Sequence, residues 1–432
     1  MSVSTSSKKF NKGKYYLSTG YKPSQIGFIP VDWHVKKIAD ISEDIFAGAT
    51  PSTSISEYWN GDIPWMSSGE INKKIIWETE KYITEKGFNS SSTKMVPENS
   101  VLIALAGQGR TRGTVAINKI KLCTNQSIAS IIPNDMVDYK FLYYNLDNRY
   151  NELRRLSAGD GGRGGLNLQI IKNIYVGLPP KSEQQKIAEI LSTWDKAIEL
   201  KEKLIEQKKE QKKGLMQRLL TGKVRLPGFE GEWKKVRLGS IGSAYNGLTG
   251  KNKEDFGSGK PYIPYKNVFN GSRINIDQLE YVQISETEKQ NKVKYGDIIF
   301  TTSSETPEEV GMSSVLLDHV DELYLNSFCF GYRLNDFNTL IPEFAQYLFR
   351  GNVFRKELLK LAQGSTRFNL SKNEVLKIKI KIPGLEEQKK IASVLTIFDR
   401  EIDLLEQELE SLKQQKKGLM QLLLTGKVRV KC

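Results

Sequence analysis

The sequence predicts an α+β protein: two pseudo-symmetric mixed α/β domains separated by two long antiparallel coiled-coil helices. Three observations carry this. Residues 183–226 (EQQKIAEILSTWDKAIELKEKLIEQKKEQKKGLMQRLLTGKVRL) recur without a gap as residues 387–430, at a constant offset of 204 residues. Both copies place apolar residues at coiled-coil spacing. Each copy follows a region of short β-like runs broken by Gly, Pro, Asn and Ser. A repeat of that length makes the two halves variations on one unit.

Taken in order, residues 1–25 are polar and basic without an apolar core, which reads as a disordered or docking arm and not as a signal peptide. The first domain, 26–180, opens on IGFIPVDW and holds strand-like runs at 100–105, 113–117 and 129–132, with a helical stretch at 141–156. A glycine-rich loop at 159–165 leads into Leu166, Asn167 and Leu168 and a last strand near 174–176. Pro179 and Pro180 then mark the start of the first spacer helix, 181–222. The second domain, 223–384, opens on RLPGFEGEW, where Trp233 takes the part of Trp33. Further markers recur in outline: 63–65 against 263–265, 100–103 against 297–300, 141–144 against 344–347, and 166–168 against 368–370. The second spacer helix, 385–426, and a tail, 427–432, complete the chain. The helices stay nearly alike while the domain interiors diverge, as expected of a shared scaffold with different contacts.

In the second helix Ile391, Leu395, Phe398, Ile402, Leu405, Leu409, Leu412, Lys416, Leu419 and Leu423 step alternately by four and three, and only Lys416 interrupts the apolar seam. The first keeps the register with Ile187, Leu191, Trp194, Ile198, Ile205, Leu215 and Leu219. It also puts Lys201, Lys208 and Lys212 on the seam, so its middle is expected to be the weaker packing surface. Each helix stops at a Thr-Gly pair, since glycine accepts the left-handed conformation there. About 38 residues at roughly 1.5 Å each make a rod of roughly 57 Å. An apolar stripe on such a rod needs a partner, and the other copy is the nearest candidate. An antiparallel pair would set the domains about one rod length apart, as a dumbbell.

The 432 residues carry a formal charge of +14, which suits a polyanionic partner. Three widely separated cysteines, Cys123, Cys329 and Cys432, fit a reducing cytoplasm and no disulfide framework. No stretch approaches the roughly 20 apolar residues of a membrane span. Phosphate-loop glycines with a following Lys-Ser/Thr are missing, as are the Asn-Pro-Pro-Tyr and Asp-Pro-Pro-Tyr tetrapeptides of amino-methyltransferases. The loop 159–165 does not lie between the strand and helix of a βαβ unit. Asp135, Asp138 and Lys140 resemble a nuclease metal cluster loosely and a solvated loop more closely. His34 and His319 have no triad around them. The residues read as a binder, with no catalytic group, metal or cofactor of its own.

Loops rich in Arg, Lys, Ser, Asn and Gln beside short strands supply base-edge and phosphate contacts. In the first domain Gln108, Arg110 and Arg112 lie between two strands, and the arginines suit bidentate donation to guanine; an ordinary basic turn has the same composition. Ser67, Ser68 and Arg163 are secondary candidates. In the second domain Lys266, Asn267, Thr302, Ser303, Ser304, Arg367 and Asn369 stand at matching positions. The helix lysines 208, 209, 212, 213, 413, 416 and 417 read first as a solvated face.

The tandem order of variable domain and helix, each helix opening on Glu-Gln-x-Lys-Ile-Ala (183–188, 387–392) and ending KKGLMQxLLTGKVR, resembles the specificity subunit of Type I restriction-modification systems. The openings IGFIPVDW and RLPGFEGEW and the Asn-Leu near each domain's end belong to the same resemblance, which spans the chain from about residue 26. It implies that each domain is a target recognition domain reading half of an asymmetric bipartite double-stranded DNA sequence, with the coiled coil fixing the unread gap. Two methyltransferase subunits would act with S-adenosylmethionine at adenine N6. Motor-nuclease subunits would add ATP- and Mg²⁺-dependent translocation and cleavage. The same architecture also serves Type IIB-like enzymes, in which one partner methylates and cuts. A coiled-coil scaffold without DNA specificity, or a self-sufficient enzyme of another type, are the alternatives from other classes.

Overall fold

The computed structural model describes residues 20–107, 109, 111–157 and 165–431. These form two compact units, one of residues up to 200 together with 409 onward, the other of residues 201–408. The boundary cuts through both long helices, so each unit holds one globular domain, the first half of the helix that follows it, and the second half of the other.

The first unit centres on a five-stranded sheet of β1 (Ser42–Ala47), β2 (Ile75–Ile76), β3 (Val101–Ala104), β4 (Val115–Asn118) and β5 (Ile128–Pro133). Its order is β1-β5-β3-β4-β2, antiparallel except for the β4–β2 pair at the edge. Side chains alternate between faces, so Val101, Ile103, Val115, Ile117, Ala129 and Ile131 enter one core while Leu102, Ala104, Ala116, Ile128 and Ile132 enter another. Burial on both faces is why these runs are apolar throughout. The first core is closed by Phe141, Leu142 and Leu146 of α1 (Tyr139–Asn148) and by Ile187, Ala188 and Leu191 of the long helix α2 (Lys181–Leu219).

The stretch 141–156 is two helices and not one, broken at Arg149 (φ −98°, ψ 17°) between α1 and the short helix Tyr150–Leu156. Arg149 donates to the Tyr175 carbonyl at 2.7 Å and to both Glu152 carboxylate oxygens at 2.6 and 2.8 Å. That tertiary tie to the domain's last strand, Tyr175–Leu178, outweighs the local helical pattern.

The second unit repeats the plan. Strands β6 (Gly242–Asn246), β7 (Ile298–Thr301), β8 (Ser303–Ser304), β9 (Ser313–Val315), β10 (Cys329–Leu334) and β11 (Phe368–Asn369) include a four-stranded antiparallel sheet of order β6-β10-β7-β9, while β8 pairs separately with β11. Ile298, Phe300, Val315, Phe330 and Tyr332 fill the core shared with α3 (Pro342–Leu348) and with Ile391, Ala392 and Leu395 of α4 (Leu385–Leu423). Thus β7 stands where β3 stands, and α3 where α1 stands.

Within each unit the two long helices run antiparallel. In the second, Lys201, Lys208 and Lys212 of α2 meet Glu408, Glu401 and Asp399 of α4, so partners descend on one helix as they ascend on the other. Every apolar residue assigned to the seam is buried or half-buried. In the middle of α2 the seam lysines each face a carboxylate in place of an apolar contact. Such partly exposed pairs contribute about 0–1 kcal/mol each, so they fix register more than they stabilise.

The repeated motif closes each unit once, where the end of one long helix meets the start of the other. The helix-ending glycines Gly222 and Gly426 adopt φ +68° and +69°, and a Cβ on Gly426 would lie 2.6 Å from Pro30. That turn directs Arg429 onto buried Glu183, at 2.7 Å to each oxygen, and onto Asp32 at 2.6 and 2.8 Å. Its counterpart Arg225 grips Glu387 twice at 2.6 Å. Trp33 Nε1 also donates to Glu183, at 3.2 Å. Beside each glutamate, Gln184 receives the Asp138 amide at 2.8 Å and donates to the Met136 and Pro179 carbonyls, while Gln388 receives the Ile341 amide at 3.0 Å and donates to those of Thr339 and Pro383.

Replacing Arg429 with alanine should strand the Glu183 carboxylate, which is 3% exposed. The cost should be on the order of 2–3 kcal/mol, the low end for a buried charge because Arg429 itself is 39% exposed. Calorimetry should show the loss and its partial recovery in the Arg429→Ala/Glu183→Gln double variant; equal melting of wild type and Arg429→Ala would refute the role. Hydrogen bonds from Arg429 hold the Asp32 carboxyl below its ordinary value of 3.8. Its stabilisation is therefore full above the ordinary value and lost as pH falls through the lower, folded one. The melting-temperature gap between wild type and Asp32→Asn should be constant above about pH 5 and close below about pH 4.

Candidate nucleic-acid interface

The connections from β3 to β4 and from β7 to β9 occupy equivalent places in the two sheet orders. In the first domain Arg112 is half-buried in that connection, while Gln108 and Arg110, with Arg163, lie outside the described residues. A residue missed in the sequence holds the connection in place: Arg154, on the helix Tyr150–Leu156, donates to the Gly109 carbonyl at 2.6 Å and lies 5.8 Å from the Tyr150 ring centroid. Only its position in the last turn of the helix hinted at such a reach.

Ser67 and Ser68 have a structural use within the first domain. Ser67 caps the short 3-10 helix Ser68–Lys73: its amide donates to Glu70 Oε1 at 3.0 Å, and Glu70, itself buried, also receives the Glu80 amide at 2.9 Å and Lys73 Nζ at 3.2 Å. Four residues beginning Ser-Ser-Gly-Glu are thus a capping box, which explains them without a ligand. Ser68 is half-buried in the first turn of that helix.

In the second domain most candidates come together. Ser303 pairs with Asn369 and Ser304 with Phe368, the Leu370 amide donates to the Thr302 carbonyl at 2.9 Å, and Tyr265 donates through its hydroxyl to the Ser303 carbonyl at 2.8 Å. Gly364 makes the return turn possible, with φ +135° and the Arg367 carbonyl only 2.0 Å from where a Cβ would stand. Arg367, Asn369 and Lys266 are exposed. Asn267 is not available: it is buried, donates to the Asn275 and Gln278 carbonyls at 2.8 and 3.2 Å, and receives the Asn275 amide at 2.9 Å. It sits on the inward face of the helix Tyr265–Asn270 and serves as an internal turn template. Ser304 is also buried and donates to Glu309 at 3.1 Å.

No enzyme-like constellation accompanies these loops among the described residues. Asp138 caps α1, receiving the Lys140 and Phe141 amides at 2.9 Å each, so the suspected metal cluster is a helix start. Among the described residues no group of three or more His, Cys, Asp or Glu side chains is placed to hold a metal. His319 stacks on Tyr295 with ring centroids 4.7 Å apart. Among the described residues no helix is long and apolar enough to cross a membrane.

Two copies of one domain, alike in scaffold and different in their polar loops, define a duplicated recognition protein. A family model described as the Type I restriction modification DNA specificity domain matches residues 30–209 and again 230–414. The chain is 30% identical to the Type I restriction enzyme MjaVIII specificity subunit of Methanocaldococcus jannaschii over 97% of this chain and 98% of that one. It is 23% identical to the EcoKI specificity subunit of Escherichia coli K12, over 84% and 82%. The fold matches the crystal structure of a Type I S subunit from M. genitalium with a TM-score of 0.53, 17% identity, and coverage of 90% and 96%. A chain from a study of Type I complex assembly and conformational transition matches with a TM-score of 0.59, 15% identity, and coverage of 93% and 99%. The chain belongs to the family of Type I restriction-modification DNA specificity subunits, and its role is DNA sequence specificity.

Asn267→Ala should lower stability by roughly 1–3 kcal/mol, as expected for stranding buried polar groups, without changing which DNA is bound. Arg367→Ala should leave the melting temperature unchanged and weaken DNA binding, with a shallower salt dependence. A specificity change in the first variant, or unaltered DNA affinity in the second, would contradict these assignments.

Proposed function

We propose that the chain reads an asymmetric, two-part double-stranded DNA target, one half-site per domain, and is itself non-catalytic. Two methyltransferase subunits bound to it methylate adenine N6 with S-adenosylmethionine, and motor-nuclease subunits use ATP and Mg²⁺ to restrict unmodified DNA, all in the cytoplasm. The observation that carries this reading is the contrast between the two halves. Residues that hold the scaffold are duplicated one for one, as in Glu183 and Glu387, Gln184 and Gln388, or Arg429 and Arg225. Residues in the exposed loops are not. Identical scaffolds with unlike loops suit two unlike half-sites. Regular helices of fixed length between the domains suit a constant unread gap.

Long-read modification mapping tests this directly. DNA from cells carrying this chain and its neighbouring methyltransferase gene should show N6-methyladenine at a two-part motif with a fixed gap, lost when this chain is deleted. Unchanged methylation on deletion would refute the reading. Removing one heptad from both helices shortens the spacer by roughly 10 Å. The mapped gap should shrink by about three base pairs with both half-sites kept; altered half-sites with an unaltered gap would exclude the helices as the ruler.

A further inference from the structure

The two equivalent loops carry opposite charge. Residues 105–114 of the first domain include Arg110 and Arg112 and no carboxylate, whereas residues 302–312 of the second include Glu305, Glu308 and Glu309 and no Lys or Arg. The acidic loop is firmly built. Ser304 and Phe368 are paired across β8 and β11, Glu309 receives the Ser304 hydroxyl at 3.1 Å, and Arg355 donates to the Glu308 carbonyl at 2.5 Å. The Glu305 and Glu308 side chains are exposed and, among the described residues, make no hydrogen bond or ion pair, and of these two only Glu305 lines a cavity. Glu305, Glu309 and Arg367 rim a cavity of about 310 Å³. Its walls include Tyr265, stacked on Phe269 at 6.0 Å, and Phe328, which is 55% exposed.

A free carboxylate on a surface that meets DNA is repelled by every phosphate. It is favourable only where the duplex offers a donor, and in the major groove the donors are exocyclic amino groups, with cytosine N4 the usual partner of a carboxylate. Arg367 on the same rim supplies the cation that a flanking phosphate requires, and the exposed Phe328 ring offers an apolar surface to a neighbouring pyrimidine edge. We propose that Glu305 accepts a hydrogen bond from the N4 amino group of a cytosine in the second half-site, making it a specificity-determining residue. This rests on the reading of both domains as DNA readers.

The test uses the chain assembled with its methyltransferase partners, on the target mapped for the wild type. Each cytosine of the second half-site, on either strand, is replaced in turn by 2-pyrimidinone, which lacks only the 4-amino group. One replacement should weaken wild-type binding roughly ten- to hundred-fold. The same replacement should have no effect on Glu305→Ala. In cells, Glu305→Gln should relax one cytosine of the second half-site towards adenine, because a carboxamide pairs with adenine N6 and N7, while the first half-site and the gap stay unchanged. A second half-site without cytosine, equal penalties in wild type and Glu305→Ala at every position, or a Glu305→Gln motif identical to the wild type would each overturn the assignment. Failure of the underlying reading is distinct: the wild type would then show no two-part motif at all.

Discussion

Each unit depends on one charged contact, an arginine that follows a helix-ending glycine and grips the buried glutamate at the start of the facing helix. Glu183 and Glu387 are each 3% exposed, so neither carboxylate is tolerable without its guanidinium. The contact needs three things at once: a helix that stops in register, a glycine that turns the chain, and a helix start presenting the acid. All three are parts of the repeated motif, and none contributes if the others are displaced. The domain cores inherit this, since the apolar residues one turn further on, Ile187 with Leu191 and Ile391 with Leu395, enter those cores only when the helix ends are seated.

A second polar layer lies deeper in each helix pair. Asp195 receives the Tyr144 hydroxyl at 2.6 Å and pairs with Lys416; Asp399 receives that of Tyr347 at 2.6 Å and pairs with Lys212. The ammonium groups also lie 5.3 and 5.5 Å from the Tyr144 and Tyr347 ring centroids. Burial, reinforced by the neighbouring aspartate, holds both phenols protonated far above their ordinary range, so each remains a donor. Replacing these groups with leucine would suit an uninterrupted seam equally well in area. What the polar layer adds is register, because a slide of one heptad would leave an aspartate, a lysine and a tyrosine unpaired.

Much of this was legible in the sequence, for a physical reason. Helix pairing is written in local periodicity, and duplication let one half calibrate the other, so the seam and the correspondence of Tyr144 with Tyr347 could be read without coordinates. The loops were harder. Ser67 and Asn267 have the composition of DNA contacts because the same short polar side chains that bond a base also bond backbone amides, and only the partners that the fold brings to them separate the two uses. Arg149 and Arg154 were missed because their partners, the Tyr175 and Gly109 carbonyls, are distant in sequence and carry no side-chain signature.

The location of the scaffold's polar anchors explains why the loops can differ so sharply in charge. Glu183, Gln184, Asp195 and their counterparts satisfy the backbone and side-chain demands of each unit from the helices. The loop 302–312 is tied mainly through backbone groups, such as the Thr302 and Glu308 carbonyls and the Thr302 amide bonded to the Phe328 carbonyl. Backbone ties ask little of side-chain identity. A residue such as Glu305 can therefore stand unpaired at no cost to folding, and an arginine can occupy the equivalent loop of the other domain. Stability resides in the duplicated helix ends and recognition in loops that the folded state does not need to satisfy, so either can change without disturbing the other.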